Sequence, residues 1–429
     1  MNRSLTSALL AITLTLGCGG VAVAQAPKPK PAQAKVVDPF VAGLEAYNRK
    51  DYATALSLWE PLVAKGEART QFSLGLMYAK GQGVAQDHKE AARLFGLAAA
   101  QGNAMAQSYL GLLYEGGLGV EQNDKEAARL YGLAAVQGDA GAQFSFGLLF
   151  YKGKGVAQDY KEAARLYGLA AAQGDANAQT RLGVMYQFGF GIAENYKEAV
   201  RLYGLAAAQG NAMAQSSLGW MYLNAQGVAQ DYKEAARLYG LAAVQGDAAA
   251  QLDLGFLYQN GFGVAQDYKE AARLYGLAAA QGDAKAQHFL GVMYYKGTGV
   301  LQDYKEAARL FGAAAAQDFT LSQVYLGVMY SLGEGVTQDY KLSVQLLSLA
   351  AAKGDADAQN NLAVNYETGI GIAKDYVQSH MWYNLAATSG SKKASDGRDR
   401  VAAKMTPAQI AEAQAMAHKC QASNFKQCD

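Results

Sequence analysis

Proline is missing from residues 62–406; the six that exist stand at 27, 29, 31, 39, 61 and 407. Proline lacks a backbone N–H and its ring clashes with the preceding turn, so a long proline-free stretch rich in alanine and leucine points to helices. Cysteine is nearly absent as well. Of three in 429 residues, only Cys420 and Cys428 lie beyond Cys18, which excludes a disulfide framework across the body of the chain. The four histidines, His88, His288, His380 and His418, form no HExxH pair, and no Cys/His cluster has zinc spacing. No excess of either charge exists, with 38 basic against 37 acidic residues. That balance lacks the basic footprint of a nucleic-acid binder. No Gly-x-Ser-x-Gly elbow occurs, and no apolar run beyond residue 24 approaches the ~20 residues of a spanning helix. A metal, cofactor or nucleic-acid partner is therefore not expected.

What is present starts with a targeting pattern. Arg3 is followed by an uncharged apolar run from Leu5 to Gly17 and by Ala22-Val23-Ala24. A positive start, a short apolar core and a small-x-small site read as a secretory signal over residues 1–24, cleaved after Ala24. Lipidation at Cys18 is the alternative, but Thr15-Leu16-Gly17 departs from the usual sequence before a lipidated cysteine. Export to the periplasm or beyond would let Cys420 and Cys428 close a disulfide. Alternating proline and lysine make residues 25–36 an extended tether.

The dominant feature is a period of 36 residues. Glutamine recurs from Gln71 and Gln107 through Gln323 to Gln359, nine times without an insertion. Four residues later stands a glycine (Gly75, Gly111, Gly147 and onward, with Ala363 in the ninth unit), then an aromatic such as Tyr78 or Phe150, then a turn glycine such as Gly83 or Gly371. Each unit reads as two antiparallel helices. The first, helix A, opens on an Asp or Asn such as Asn103 or Asp139, a side chain able to accept a free backbone N–H. Its apolar positions, Ala106, Leu110 and Tyr114, share one face. Gly111 lets a neighbour approach closely. Helix B opens on Asp with Glu three residues later, as in Asp87/Glu90, Asp159/Glu162, Asp231/Glu234 and Asp267/Glu270, or on Asn123/Glu126 and Asn195/Glu198. That spacing predicts reciprocal capping boxes. Its apolar face is Ala91, Leu94, Phe95, Ala98 and Ala99, and Gly102 ends it.

A single pair cannot bury its apolar face, so the units must stack into one all-α, superhelical α/α solenoid with a concave face lined by the A helices. Residues 67–390 hold the nine repeats. Residues 37–66 form a divergent first pair, with Asp51, Ala55 and Gly66 in register with Asp87, Ala91 and Gly102. Over 391–429, the charged stretch Lys392–Lys404 leads into Thr406-Pro407, a cap and first helical position, and a capping helix over Ala408–Lys419. Asp318-Phe319-Thr320 replaces the Gly-Asp-Ala joint seen at Gly282-Asp283-Ala284, which predicts a local bend between units seven and eight.

The unit Ala178-Gln179-x-x-Leu182-Gly183-x-x-Tyr186-x-x-Gly189-x-Gly191, followed by Tyr196-Lys197-Glu198-Ala199 and by Ala206-Ala207-x-x-Gly210, resembles the Sel1-like repeat, a relative of the tetratricopeptide repeat. Trp382-Tyr383 before Ala386-Ala387 matches the family's aromatic pair; the other full units place leucine before the aromatic, as in Leu94-Phe95. The resemblance implies a non-enzymatic scaffold or adaptor of the bacterial envelope with a protein or peptide partner. A cysteine-rich branch, associated with β-lactam chemistry, supplies the alternative of an envelope enzyme acting on β-lactams or peptidoglycan. That branch carries a cysteine pair in each helical pair; this chain has none within its repeats.

Positions that vary against a fixed framework are not dictated by the solenoid. Within helix A these are Tyr109, Phe144, Arg181, Asp253, His288, Phe289 and Tyr325, with Trp220 and Phe256 in place of Leu or Val. Aromatic and arginine side chains anchor interfaces, so these nine form the expected partner-binding surface on the concave face. Phe188, Phe190 and Phe262 in the loops form a second candidate patch.

Overall fold

The computed structural model describes residues 38–425 and 428, and among them 22 helices and no strand. The expected signal segment, Cys18 and the tether lie outside the described residues. After α1 (Pro39–Asn48) and α2 (Tyr52–Ala64) come nine A/B pairs, from α3 (Ala68–Lys80) with α4 (His88–Ala100) to α19 (Ala356–Thr368) with α20 (Tyr376–Ala387). Two further helices close the array, α21 (Lys392–Ala402) and α22 (Pro407–Ala422).

Asn103 Oδ1 accepts the Ala106 N–H at 2.8 Å at the start of an A helix. Asp87 Oδ1 accepts from Lys89 N and Glu90 N, at 2.9 and 3.0 Å, at the start of a B helix. The expected reciprocal box does not form there. Glu90 turns instead to Arg93 at 2.6 Å, and the same Glu–Arg pair recurs in every unit through Glu306–Arg309. A guanidinium one turn away offers the carboxylate a charged, two-pronged partner that the backbone N–H cannot match. Among the described residues, only Thr406 and Gln409, opening α22, complete the box.

The loop glycines are needed twice over. Gly119 has φ 70°, and a Cβ there would lie 2.2 Å from the His88 backbone, so each loop rests on the start of the preceding unit's B helix. Ala225 and Asp318 hold φ of 55° and 66° where other units carry glycine. At Asp318 the turn bonds match those elsewhere: Asp318 N donates to Ala315 O at 2.9 Å, as Gly282 N does to Ala279 O at 3.0 Å. The expected bend therefore finds no support in this turn, because Asp318 takes the left-handed conformation that glycine takes elsewhere.

Between the helices of a unit, the A-helix glycine faces the B-helix aromatic. A Cβ on Gly183 would meet the Tyr203 ring at 2.7 Å. The recurrent glutamine builds a ladder along the array: Gln101 Nε2 donates to Gln71 Oε1 at 2.8 Å, and Gln107 Nε2 donates to the Ala99 carbonyl at 3.1 Å. The buried Gln107 amide is thus satisfied on both sides, by the Ala99 carbonyl and by Gln137 Nε2, which is why the position does not vary. Each helix packs chiefly on its neighbours in the chain, the quasi-one-dimensional pattern of a solenoid.

Both ends are sealed. Trp59 packs on Gly43 and donates to the Phe40 carbonyl at 3.2 Å. At the far end, the charged segment Lys392–Lys404 is not a mere lead-in, since most of it is α21. Its Arg400 and Lys404 hold the buried Glu367 carboxylate at 2.6 and 3.0 Å, and Tyr383 Oη donates to it at 3.1 Å. This clamp pulls the Glu367 carboxyl down to about 2. Cys420 and Cys428 are joined as a disulfide.

Candidate partner-binding surface

Counting from the first residue of each A helix, position six faces the aromatic ring of the preceding B helix. The two are complementary. After Phe95 and Phe311 stand Tyr109 and Tyr325, with ring centroids 5.6 and 4.9 Å from them. After B-helix tyrosines stand Ser145, Arg181, Ser217, Asp253 and Phe289. The tyrosine hydroxyls turn to position twelve of their own unit: Tyr131 donates to Glu115 at 2.9 Å, Tyr203 to Gln187 at 2.7 Å and Tyr275 to Gln259 at 2.8 Å. Tyr167 and Tyr239, whose position-twelve neighbours are Tyr151 and Leu223, find no hydrogen-bond partner there. The Asp253 carboxylate is the electrostatic neighbour of Tyr239. Burial pushes the Asp253 carboxyl up to about 6, against the pull of Tyr239 and Lys285.

The nine anticipated residues therefore separate. Trp220 and Phe256 are 38% and 40% exposed. Tyr109, Phe144, Arg181, Asp253, Phe289 and Tyr325 are half-buried. Phe144 packs on Tyr167 and Phe289 stacks on Tyr275. His288 does not belong on a binding surface. It is 4% exposed, its Nδ1 lies 2.9 Å from Ser322 Oγ, and the rings of Phe289, Phe311, Phe319 and Tyr325 surround it. Desolvation pushes its pKa down to about 4, so the ring is neutral. The loop aromatics are not wholly a separate patch. Phe262 stacks on Tyr232 at 5.2 Å and reaches Phe256 at 6.1 Å, while Phe190 stacks on Tyr160 and contacts Phe188.

Position nine is apolar in every unit, and Leu112, Trp220, Phe256 and Val364 are its most exposed members. Where units eight and nine meet, the A helices open a cavity of about 310 Å³ lined by Tyr295, Val324, Tyr325, Val328, Asp357, Asn360, Asn361, Ser391 and Lys393. This is the joint whose B helix carries Leu347 in place of an aromatic ring. Tyrosine and valine give it apolar walls. Among the described residues, no hydrogen bond within the chain engages the Asn360 or Asn361 side chains, so both amides are free to donate and accept. Asp357 and Lys393 add one charge of each sign. That combination suits a peptide segment: amides for its backbone, rings for a side chain. Of the nine anticipated residues only Tyr325 lines it. Asn360 and Asn361 occupy varying positions five and six of the ninth unit, so the same unit-by-unit comparison reaches them.

Among the described residues, no group of three or more acidic, histidine or cysteine side chains is placed to hold a metal ion, and no helix is long and apolar enough to cross a membrane. Two Ser-x-x-Lys spacings occur, Ser389 to Lys392 and Ser423 to Lys426, and both serines lie at helix ends, where Ser389 Oγ donates to the Ala386 carbonyl at 2.7 Å and Ser423 Oγ to the Cys420 carbonyl at 2.8 Å.

The Sel1 repeat model matches nine consecutive segments, from residues 68–103 to 356–391. No curated protein sequence matches the chain. Among solved structures, the chain is similar to c5321, a protective antigen of uropathogenic Escherichia coli displaying an SLR fold, at 28% identity over 91% of both chains with a TM-score of 0.61. It is also similar to a Sel1 repeat protein from Oxalobacter formigenes, at 32% identity over 56% of this chain and 97% of that one, with a TM-score of 0.53. With the matched repeats spanning most of its length, the chain belongs to the Sel1 repeat family.

Proposed function

We propose that the chain is an exported, non-enzymatic scaffold of the bacterial envelope that binds a protein or peptide partner along its A-helix face, chiefly at the joint of units eight and nine. The observation that carries this reading is the cavity between Tyr325, Asn360 and Asn361, where apolar walls meet two unengaged amides. The exposed row through Trp220 and Phe256 extends the same face toward the N-terminal units. Export rests on the pattern in residues 1–24 and is supported by the Cys420–Cys428 disulfide.

Selection of a displayed random-peptide library on the immobilised full chain tests the binding reading. Peptides enriched on the wild type and lost on a folded Tyr325→Ala/Asn360→Ala/Asn361→Ala variant are expected. No enrichment, or equal enrichment on both, would overturn it. Mass spectrometry of the protein from fractionated cells should find Gln25 as its first residue. The scaffold reading also expects no hydrolysis of a chromogenic β-lactam, and turnover of one would contradict it.

A further inference from the structure

The B helices form a second surface, and its joints carry a recurring groove. At units one and two the groove is lined by Gly96, Ala99, Gly102, Leu110 and Leu130 and encloses about 350 Å³. Equivalent residues line grooves of about 320 Å³ at units three and four and about 380 Å³ at units six and seven. At units eight and nine the matching positions are Ser348, Ala352, Leu362 and Trp382, and there the groove wall includes Phe425 and Cys428 of the chain's own disulfide-closed tail.

The glycine that ends each B helix reports the difference directly. A Cβ on Gly354 would meet the Phe425 ring at 2.9 Å, whereas one on Gly102, Gly174 or Gly282 would meet nothing within 4 Å. The leucines on this face are covered only where α22 lies, since Leu349 beside Phe425 is still 54% exposed. Leu385 of unit nine is 3% exposed in the cluster that Ala413, Ala417 and Cys420 of the C-terminal segment join, while Leu97, Leu169 and Leu277 are 42% exposed. One end of the B face thus already holds a segment that packs an aromatic ring against the joint, and the joints after units one, three and six present the same cradle uncovered.

We propose that the B-helix grooves at the joints after units one, three and six bind peptide segments that seat one aromatic side chain between neighbouring repeats, as Phe425 is seated at the joint of units eight and nine. The mid-helix glycines Gly96, Gly168 and Gly276 keep the groove wall low. They are unfavourable within a helix, and a Cβ on Gly96 or Gly168 meets nothing within 4 Å and one on Gly276 only Leu290 at 4.0 Å, so intramolecular packing does not require them. Arg129, Arg201 and Arg309 line the three grooves and offer a cation to an incoming ring.

The test uses a labelled peptide of residues 418–429, closed through its own disulfide, titrated into the full chain. A Gly96→Leu/Gly168→Leu/Gly276→Leu variant fills three grooves with a residue that favours helix more than glycine does, and circular dichroism verifies that it stays folded. Saturable binding is expected, weakened about tenfold by Phe425→Ala in the peptide, with fewer peptides bound per chain by the triple variant. Absence of saturable binding, or a triple variant that binds as many peptides as wild type, overturns the proposal. Variants of the A-helix cavity leave this titration unchanged, which separates it from the partner site on the other face.

Discussion

Lys353 reaches back across unit eight to Asp318, donating to its backbone carbonyl at 2.9 Å and to its carboxylate. Both residues depart from the repeat at once: Asp318 stands where other joints have glycine, and Lys353 where units one to seven have the ladder glutamine. Lys353 also donates to Gln323 Oε1 at 3.3 Å, and Gln323 Nε2 donates to Asp318 Oδ1 at 3.1 Å. The ladder is rebuilt with a charged pair at the joint that lost its glycine. Lys353→Gln alone should lower the melting temperature, and Asp318→Gly added to it should restore most of the loss. A double-mutant cycle that finds the two substitutions additive would contradict the coupling.

His288 gives the array a defined pH dependence. Its folded pKa of about 4 lies below the ordinary value near 6.5, so above pH 6.5 both folded and unfolded chains hold a neutral ring. As pH falls from 6.5 toward 4, the unfolded chain takes up the proton and the folded one does not, and stability declines by roughly 2–3 kcal/mol. His288→Val, copying Val324 at the same position of unit eight, should flatten this part of the melting-temperature profile. His380, also lowered by burial, remains in both proteins, so the difference between them isolates His288.

A second window lies lower. The Glu367 carboxyl is held near 2 by Arg400, Lys404 and Tyr383, below its ordinary value. Its contribution is complete above about pH 4.5 and is lost as pH falls toward 2. Arg400 and Lys404 are about half exposed, so solvent screening reduces the effect to on the order of 2 kcal/mol. Glu367→Gln should loosen α21 and α22 first, read as faster amide exchange there at neutral pH. Unchanged exchange would show that the clamp does not secure the cap.

Glycine should behave oppositely in adjacent helices. Gly183→Ala would press on the buried Tyr203 ring, whose hydroxyl is fixed by Gln187, and should cost ~1–3 kcal/mol. Gly168→Ala adds a methyl group in open space and should stabilise by up to ~1 kcal/mol. Denaturant melts of the two variants compare them directly.

Register made the fold legible in advance: nine units without an insertion fix the helix pairs, their caps and their turns. Pairing between rows was also written in the chain, since tyrosine follows phenylalanine at Phe95/Tyr109 and at Phe311/Tyr325. His288 was misplaced because its position, which also buries Phe72, Thr180 and Val324, packs between units, and its hydrogen-bond partner Ser322 lies 34 residues on, in the next unit. Helix α21 was hidden by its charge. It buries only Ala394, Gly397 and Val401, and its basic residues act through Glu367 one unit earlier. The cavity at Asn360 and Asn361 escaped notice because it is assembled from three successive A helices and the start of α21.

Affinity of one library-selected peptide for three proteins tests the central claim most directly: wild type, Tyr325→Ala/Asn361→Ala, and the B-face triple leucine variant. Partner binding at the A-helix cavity predicts a loss of about tenfold or more for the first variant and no change for the second. Equal affinity for wild type and the Tyr325/Asn361 variant, with all three proteins fully helical, would contradict it.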